Sequence, residues 1–242
     1  MRLSDLKKFP ISFWFLCVAC LTFYGTISSF LTLAHQYFKS EFGRTSTQAD
    51  RLLCLVYSVS AAVSPLLGLL LDRLGKNLTC IMVAVLTTGA SHGLLFCHQP
   101  LGVSPYLEID LMVMAVAFSL LTSATLPIAA LQIPEQQLST AYGLIQAILN
   151  LGTAVITMAA STIVKTKTSE DNSGNDYQYM EVSCSSREIS NINLGQAFFI
   201  FLLGVCLLCI VIIWVRDIFT GGNLNMFARD REVRSVVKRL IK

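Results

Sequence analysis

Two sets of residues in this 242-residue chain have the types and spacing for chemistry, and neither is catalytic. The first is Gly68-x-x-x-Asp72-Arg73-x-Gly75-Lys76, wedged between two long apolar runs with almost no room for a loop. Its chemistry is that of a mechanical latch. Gly68, one turn before Asp72, removes a side chain so that another helix can approach the backbone. Asp72 stands at a helix end, where the dipole disfavours an anion, so its carboxylate needs a partner such as Arg73 or the N-terminus of a different helix. Gly75 supplies the positive φ of a very short turn, and Lys76 holds that turn on the cytoplasmic side. The second set is a stripe of Tyr142, Gln146 and Asn150, repeated every four residues and extended by Ser139, Thr153 and Thr157. Amides inside a bilayer are costly unless they face protein or water, so this face lines a cavity or binds a neighbouring helix, and the spacing admits both.

Weaker members can turn toward the same space: Tyr24 and Ser28, Tyr57 and Ser64, and Ser119, Thr122 and Ser123. Of these, Tyr24, Tyr57 and Ser123 join Tyr142, Gln146 and Asn150 as the candidate solute-binding residues. Other constellations carry less. Gly89-Ala90-Ser91-His92-Gly93 matches the G-x-S-x-G of serine hydrolases, but it lies mid-span without the strand-to-helix turn that exposes such a serine. His92 is read as a satisfied packing histidine. Cys17-x-x-Cys20 and Cys206-x-x-Cys209 have no neighbouring His, Asp or Glu to complete a metal site, and are read as packing residues. No metal and no cofactor is expected. Cys97 and Cys184 are placed to meet an oxidising lumen, where a bond between them stays open. Pro65, Pro127 and Pro134 are expected to kink or end helices.

The elements that must position these residues are membrane helices. With 54% hydrophobic and 14% charged residues, and a mean hydropathy of +0.62, the apolar residues arrive in blocks of about 20, the length a helix needs to cross a bilayer. Six spans are expected, at about 11–36, 52–71, 78–96, 110–131, 138–164 and 194–216. The first apolar block outlasts the core of a signal peptide and should stay in the membrane. Arg2, Lys7, Lys8, Arg73, Lys76, Arg216 and the basic residues after 228 fall on one side of the bundle, which puts both termini in the cytoplasm. The segment 165–193, rich in Ser, Asn, Asp and Glu, reads as a mobile luminal loop. In the basic tail, 217–242, Val233, Val236, Val237, Leu240 and Ile241 recur at helical spacing, which reads as an amphipathic helix on the inner leaflet or as a solvated tail. The lipid bilayer is the expected partner of the spans, and no nucleic acid is.

The Gly68 to Lys76 pattern resembles the signature loop of the major facilitator superfamily, which joins the second and third helices of each six-helix half. Further stretches are similar to its lysosomal dipeptide-transporting branch: Phe9 to Trp14, Ser64 to Asn77, Ile133 to Leu138, Thr140 to Gly143, Gln146, Asn150 to Gly152, and Gly221 to Asn225. The resemblance implies an all-α membrane protein of six transmembrane helices, one half (helices 7–12) of a major facilitator superfamily bundle. It implies that the fifth span lines a substrate cavity, and that short peptides leave the lysosome by alternating access. It also implies a heavily glycosylated lysosomal membrane protein as accessory subunit. The chain departs from the pattern at Leu126, where relatives carry a cavity-facing Trp, in the length of 165–193, and in lacking spans one to six. Alternating access rocks one half against the other, so the expectation is either a fragment of a longer chain or a pair of copies. The alternative is a non-transporting scaffold or accessory protein that keeps the half-bundle fold.

Overall fold

The computed structural model describes residues 9–98, 105–165, 177–220 and 224–226, and these form an all-helical bundle. In chain order the helices are α1 (Ile11–Phe42), α2 (Ser46–Leu74), α3 (Asn77–His98), α4 (Pro105–Gln132), α5 (Leu138–Lys165) and α6 (Tyr177–Phe219). Each contains a stretch long and apolar enough to cross a membrane. Hydrocarbon offers no water to an unpaired N–H or C=O, and a helix pairs the backbone groups between its ends within one segment, so apolar blocks of this length fold as helices.

The breaks between helices follow from local chemistry. Gly43 ends α1 in the left-handed region at φ 56°, and Thr45 opens α2 with a reciprocal cap: its hydroxyl accepts from the Gln48 N–H while the Gln48 side chain accepts from its own N–H. Gly75, at φ 71°, closes α2 by donating its N–H to the Leu71 carbonyl at 2.8 Å. Only Gly75 and Lys76 separate α2 from α3. Pro65 and Pro127 lie inside α2 and α4, and Pro134 falls in the break before a short 3-10 turn, Glu135–Gln137, that leads into α5. At the opposite end of the bundle His35 of α1 reaches Asp50 of α2 at 3.4 Å.

Several boundaries differ from the sequence expectation: α1 runs on to Phe42, past 36, α2 opens at Ser46, before 52, and closes at Leu74, α4 opens at Pro105, before 110, and both ends of α6 shift. The polar segment 165–193 is not a loop throughout: α6 starts at Tyr177 and runs unbroken into its apolar span. No Gly or Pro interrupts 177–194, and extending a helix already nucleated by an apolar span costs little per residue. At the other end, residues 217–219, placed in the tail, form the last turn of α6. The tail's amphipathic helix at 233–241 and the side chains of Cys97 and Cys184 lie outside the described residues.

The helices are unequally covered. α1 is the centre: it packs against α5 and α6 and touches α2 and α4. α4 lies between α2 and α3, and α3 and α6 pair behind. In its apolar window α1 is 67% buried, whereas α2 is 11% and α5 is 17% buried. Tyr57, Leu66 and Leu69 of α2, and Leu151, Val155 and Met158 of α5, are therefore exposed by the chain's own packing.

Apolar side chains gain nothing by leaving lipid for one another, so what holds helices together in a membrane is close packing and buried polar pairs. Both are present. Gly25 of α1 lies under Ile156 of α5, and Gly152 of α5 lies under Leu21 of α1, so each helix inserts a side chain over the other's glycine. Ser29 and Thr157 share a hydrogen bond across the same seam at 2.8 Å. Ser60 and Ser119 do so between α2 and α4 at 2.7 Å, and the Cys206 thiol donates to the Ala19 carbonyl between α6 and α1 at 3.3 Å. A leucine at position 152 would meet Leu21 head on. Gly152→Leu should cost about 1–3 kcal/mol of stability through overpacking, seen as a lower melting temperature in detergent, with partial recovery in Gly152→Leu combined with Leu21→Ala. An unchanged melting temperature would remove the seam from the account of the fold.

Candidate functional site

The α1–α5 seam dictates which way α5 points. Ala141, Ile145 and Leu149 are buried on the packed side, and Gln146 and Asn150, one position further round, are turned out and exposed. Their side chains lie one helical turn apart, with Gln146 Nε2 donating to Asn150 Oδ1 at 3.5 Å. This is a long bond at the edge of the acceptable range, so both amides keep most of their donor and acceptor capacity. Tyr142, a turn earlier, is half-buried and donates its hydroxyl to the Leu126 carbonyl of α4 at 3.3 Å, beside Pro127 within that helix.

The stripe therefore divides. Thr157 spends its hydroxyl on Ser29 inside the seam, which is the interhelical role, whereas Gln146 and Asn150 bond no other helix among the described residues. Tyr24 of α1 is half-buried, its ring edge-on to Phe118 of α4 with centroids 5.5 Å apart. Ser123 of α4 is half-buried and Tyr57 of α2 is exposed. Ser119 is tied to Ser60, and Thr122 donates to the Phe118 carbonyl of its own helix, so those two hydroxyls already have partners. A pocket of about 330 Å3 lies elsewhere, between α3 and α4 near Phe42, and contains none of the six candidate residues.

The latch residues sit at the end where α2 turns into α3. Gly75 has the positive φ the turn needs. Gly68 does not admit a helix of this chain, as its type suggested: a Cβ there would meet open space. The reason is the bareness of α2, whose uncovered face runs through Pro65, Leu66, Leu69 and Asp72. Asp72 and Arg73 are exposed, and Asp72 has no ion pair among the described residues. A carboxylate at a helix C-terminus that forms no ion pair is poised to accept donors from outside the α2–α3 unit.

His92 is fully buried where α1, α3 and α6 meet. Its Nδ1 lies 2.9 Å from Gln196 Oε1, and its ring stacks edge-on to Phe30 at 5.1 Å and tilted against Phe199 at 5.6 Å. That is a packing role, but the ring is only half satisfied: Nε2 is buried without a hydrogen-bond partner among the described residues. Ser91 is buried within uninterrupted α3, so the G-x-S-x-G match has none of the strained turn a nucleophile elbow requires. Sequence reasoning gave no role to Asp217, which accepts from the Leu224 and Asn225 N–H groups, or to Asn225, whose side chain meets Thr79 at the start of α3. Their signal was a lone acid at the end of an apolar span, followed by a Gly-Gly-Asn-Leu-Asn run.

The six-helix bundle and its two-residue α2–α3 turn have the form of one half of a larger helical membrane bundle. Residues 15–235 match the Major Facilitator Superfamily, and the chain belongs to that family of multi-pass transporters. Among curated proteins it is similar to the "Lysosomal dipeptide transporter MFSD1" of Danio rerio, 35% identical over 236 residues, which covers 97% of this chain and 45% of that protein. The proteins of the same name in Gallus gallus and Homo sapiens are 35% and 34% identical, over 96% of this chain and 46% and 44% of theirs. The chain thus spans about half the length of the curated relatives it matches.

Because Asp72 is exposed, its loss should not unfold the bundle. Asp72→Asn is expected to leave protein level and melting temperature unchanged while slowing transport by the full assembly, since a gate contact typically biases such an equilibrium by about 1–3 kcal/mol. Initial rates equal to wild type at equal surface level would take Asp72 out of the mechanism.

Proposed function

We propose that the chain is the second six-helix half of a transporter that moves dipeptides, or small solutes of similar chemistry, out of the lysosome by alternating access. In this reading both termini are cytoplasmic, and the bare faces of α2 and α5 lie against six further helices. Those helices are a preceding half of a longer chain or a second copy. A glycosylated lysosomal membrane protein would be an accessory subunit.

The observation that carries the reading is the exposure of Gln146 and Asn150 on a membrane-spanning helix with no charged residue before Lys165. Facing lipid, two amides would be heavily penalised. Facing a wet cavity between two halves, they offer donors and acceptors to a peptide backbone, which presents the same groups whatever its side chains. That suits a carrier with broad tolerance for sequence. Tyr142, tied to α4, would set the depth of the cavity, with Tyr24 and Ser123 behind it and Tyr57 across from it on α2. Asp72, Arg73 and Lys76 would act at the cytoplasmic rim, where a carboxylate docking on the facing half closes one side and its release opens that side. Gly68 would give that half room to approach.

Leu in place of Gln146 or Asn150 is a good helix former and replaces the amide with an apolar group. Reconstituted with its partner half, each variant is expected to raise the apparent KM of several chemically different dipeptides by a similar factor. A stranded polar group costs about 1–3 kcal/mol, so that factor is one to two orders of magnitude or less. Flux of each labelled dipeptide into proteoliposomes gives the measurement. Unaltered kinetics would assign the amides no role in the solute site, and no flux of any dipeptide in wild type would favour a non-transporting scaffold.

A further inference from the structure

The most deeply buried carboxylate among the described residues is one that the solute wall and the latch do not use. Asp217 lies in the last turn of α6 and is 4% exposed. A carboxylate there faces the negative end of its own helix dipole and has lost most of its water, so it must be repaid in hydrogen bonds. Two backbone donors supply them: the Leu224 N–H reaches Oδ1 at 2.9 Å, and the Asn225 N–H reaches Oδ2 at 3.3 Å. The pair folds residues 224–226 back onto the helix end and buries Leu224.

Asn225 carries the connection onward. Its Oδ1 accepts from the Thr79 backbone N–H at 3.3 Å and from the Thr79 hydroxyl at 2.9 Å. Thr79 is in the first turn of α3, where N–H groups have no partner within the helix and need a cap. The local candidate does not provide it: Asn77 is buried, but its Oδ1 has no hydrogen bond among the described residues. The cap comes instead from a residue 146 positions away in sequence. Thr79 follows the Gly75–Lys76 turn by three residues, so whatever fixes the start of α3 also fixes that turn.

We propose that Asp217, acting through Asn225, is a positioning residue for the latch: it joins the end of α6 to the start of α3, so that the Gly75–Lys76 turn moves with the α3–α6 pair. This rests on the transport reading for its consequence, but not for its geometry. α3 and α6 already pack along their length, and the relay extends that contact to the rim. Breaking it leaves the solute wall on α5 untouched while letting the turn drift relative to α6. The signature is a fall in turnover with little change in apparent affinity.

The test uses the full assembly with Asn225→Ala, Asp217→Asn, Thr79→Val and Thr79→Ser, and the double variant Asn225→Ala with Thr79→Val. In dipeptide flux, kcat normalised to protein should fall about tenfold for Asn225→Ala, as expected for a lost buried cap, with KM within about twofold. Thr79→Ser, which keeps the hydroxyl, should behave as wild type, and the double variant should be no worse than the more severe single. Hydrogen exchange of the amides at 78–81 gives a readout independent of transport. It should quicken about tenfold in Asn225→Ala and Asp217→Asn, but not in Thr79→Ser. Quickened exchange in a chain that moves no dipeptide would sustain the relay and sink the transport reading. Unchanged exchange at 78–81 in Asn225→Ala, a rise in KM in place of the fall in kcat, additive losses in the double variant, or no retention of function by Thr79→Ser would each overturn the proposal.

Discussion

The seam between α1 and α5 governs most of what this bundle can do. A membrane offers its helices no hydrophobic drive to associate, so an interface there depends on how closely two backbones approach. Gly25 and Gly152 permit that approach from opposite sides, each receiving the other helix's side chain, and the Ser29–Thr157 hydrogen bond sits in the same contact. Once α5 is held this way, its rotation is fixed. Ala141, Ile145 and Leu149 must face inward, and Gln146 and Asn150 must face out. The outward polar face, which we propose lines the solute cavity, is thus a consequence of packing on the other side of the helix.

A second constraint acts at the rim. α2 and α3 are joined by two residues, which leaves the turn little freedom of its own, and both helices that flank it are held elsewhere. α2 is tied to α4 through Ser60 and Ser119, and α3 is capped by Asn225. The exposed charges Asp72 and Arg73 beside the turn are thereby presented from a rigid frame, next to the uncovered face of α2. A mobile turn would spend the energy of any docking contact on ordering itself.

Much of this was legible in sequence because the bilayer imposes few solutions. Charge-free blocks gave the six helices, Gly75 between Leu74 and Lys76 gave a positive-φ turn, and the four-residue spacing of Tyr142, Gln146 and Asn150 placed them on one face. What stayed hidden has physical causes. The extension of α6 back to Tyr177 is polar, and hydropathy is blind to a helix that continues into water. Gly68 was read by type as a contact, but type cannot say whether the contacting helix belongs to the same chain. Gly25 and Gly152 carried the real close approach and looked like any other glycines. Asp217, Asn225 and Thr79 come together only in three dimensions, although the Thr45-x-x-Gln48 cap that opens α2 was present as a readable local pattern.

Whether the outward face of α5 meets water or lipid decides the account of function. The most direct measurement is labelling of Gln146→Cys and Asn150→Cys by a membrane-impermeant, water-soluble maleimide in the assembled protein, read against the unsubstituted chain and against Leu149→Cys, which points into the seam. A water-filled cavity predicts rapid labelling at 146 and 150, slowed by a transported dipeptide, and none above background at 149. If 146 and 150 are inert to the reagent with and without dipeptide, the face is dry and the amides are not part of a solute pathway.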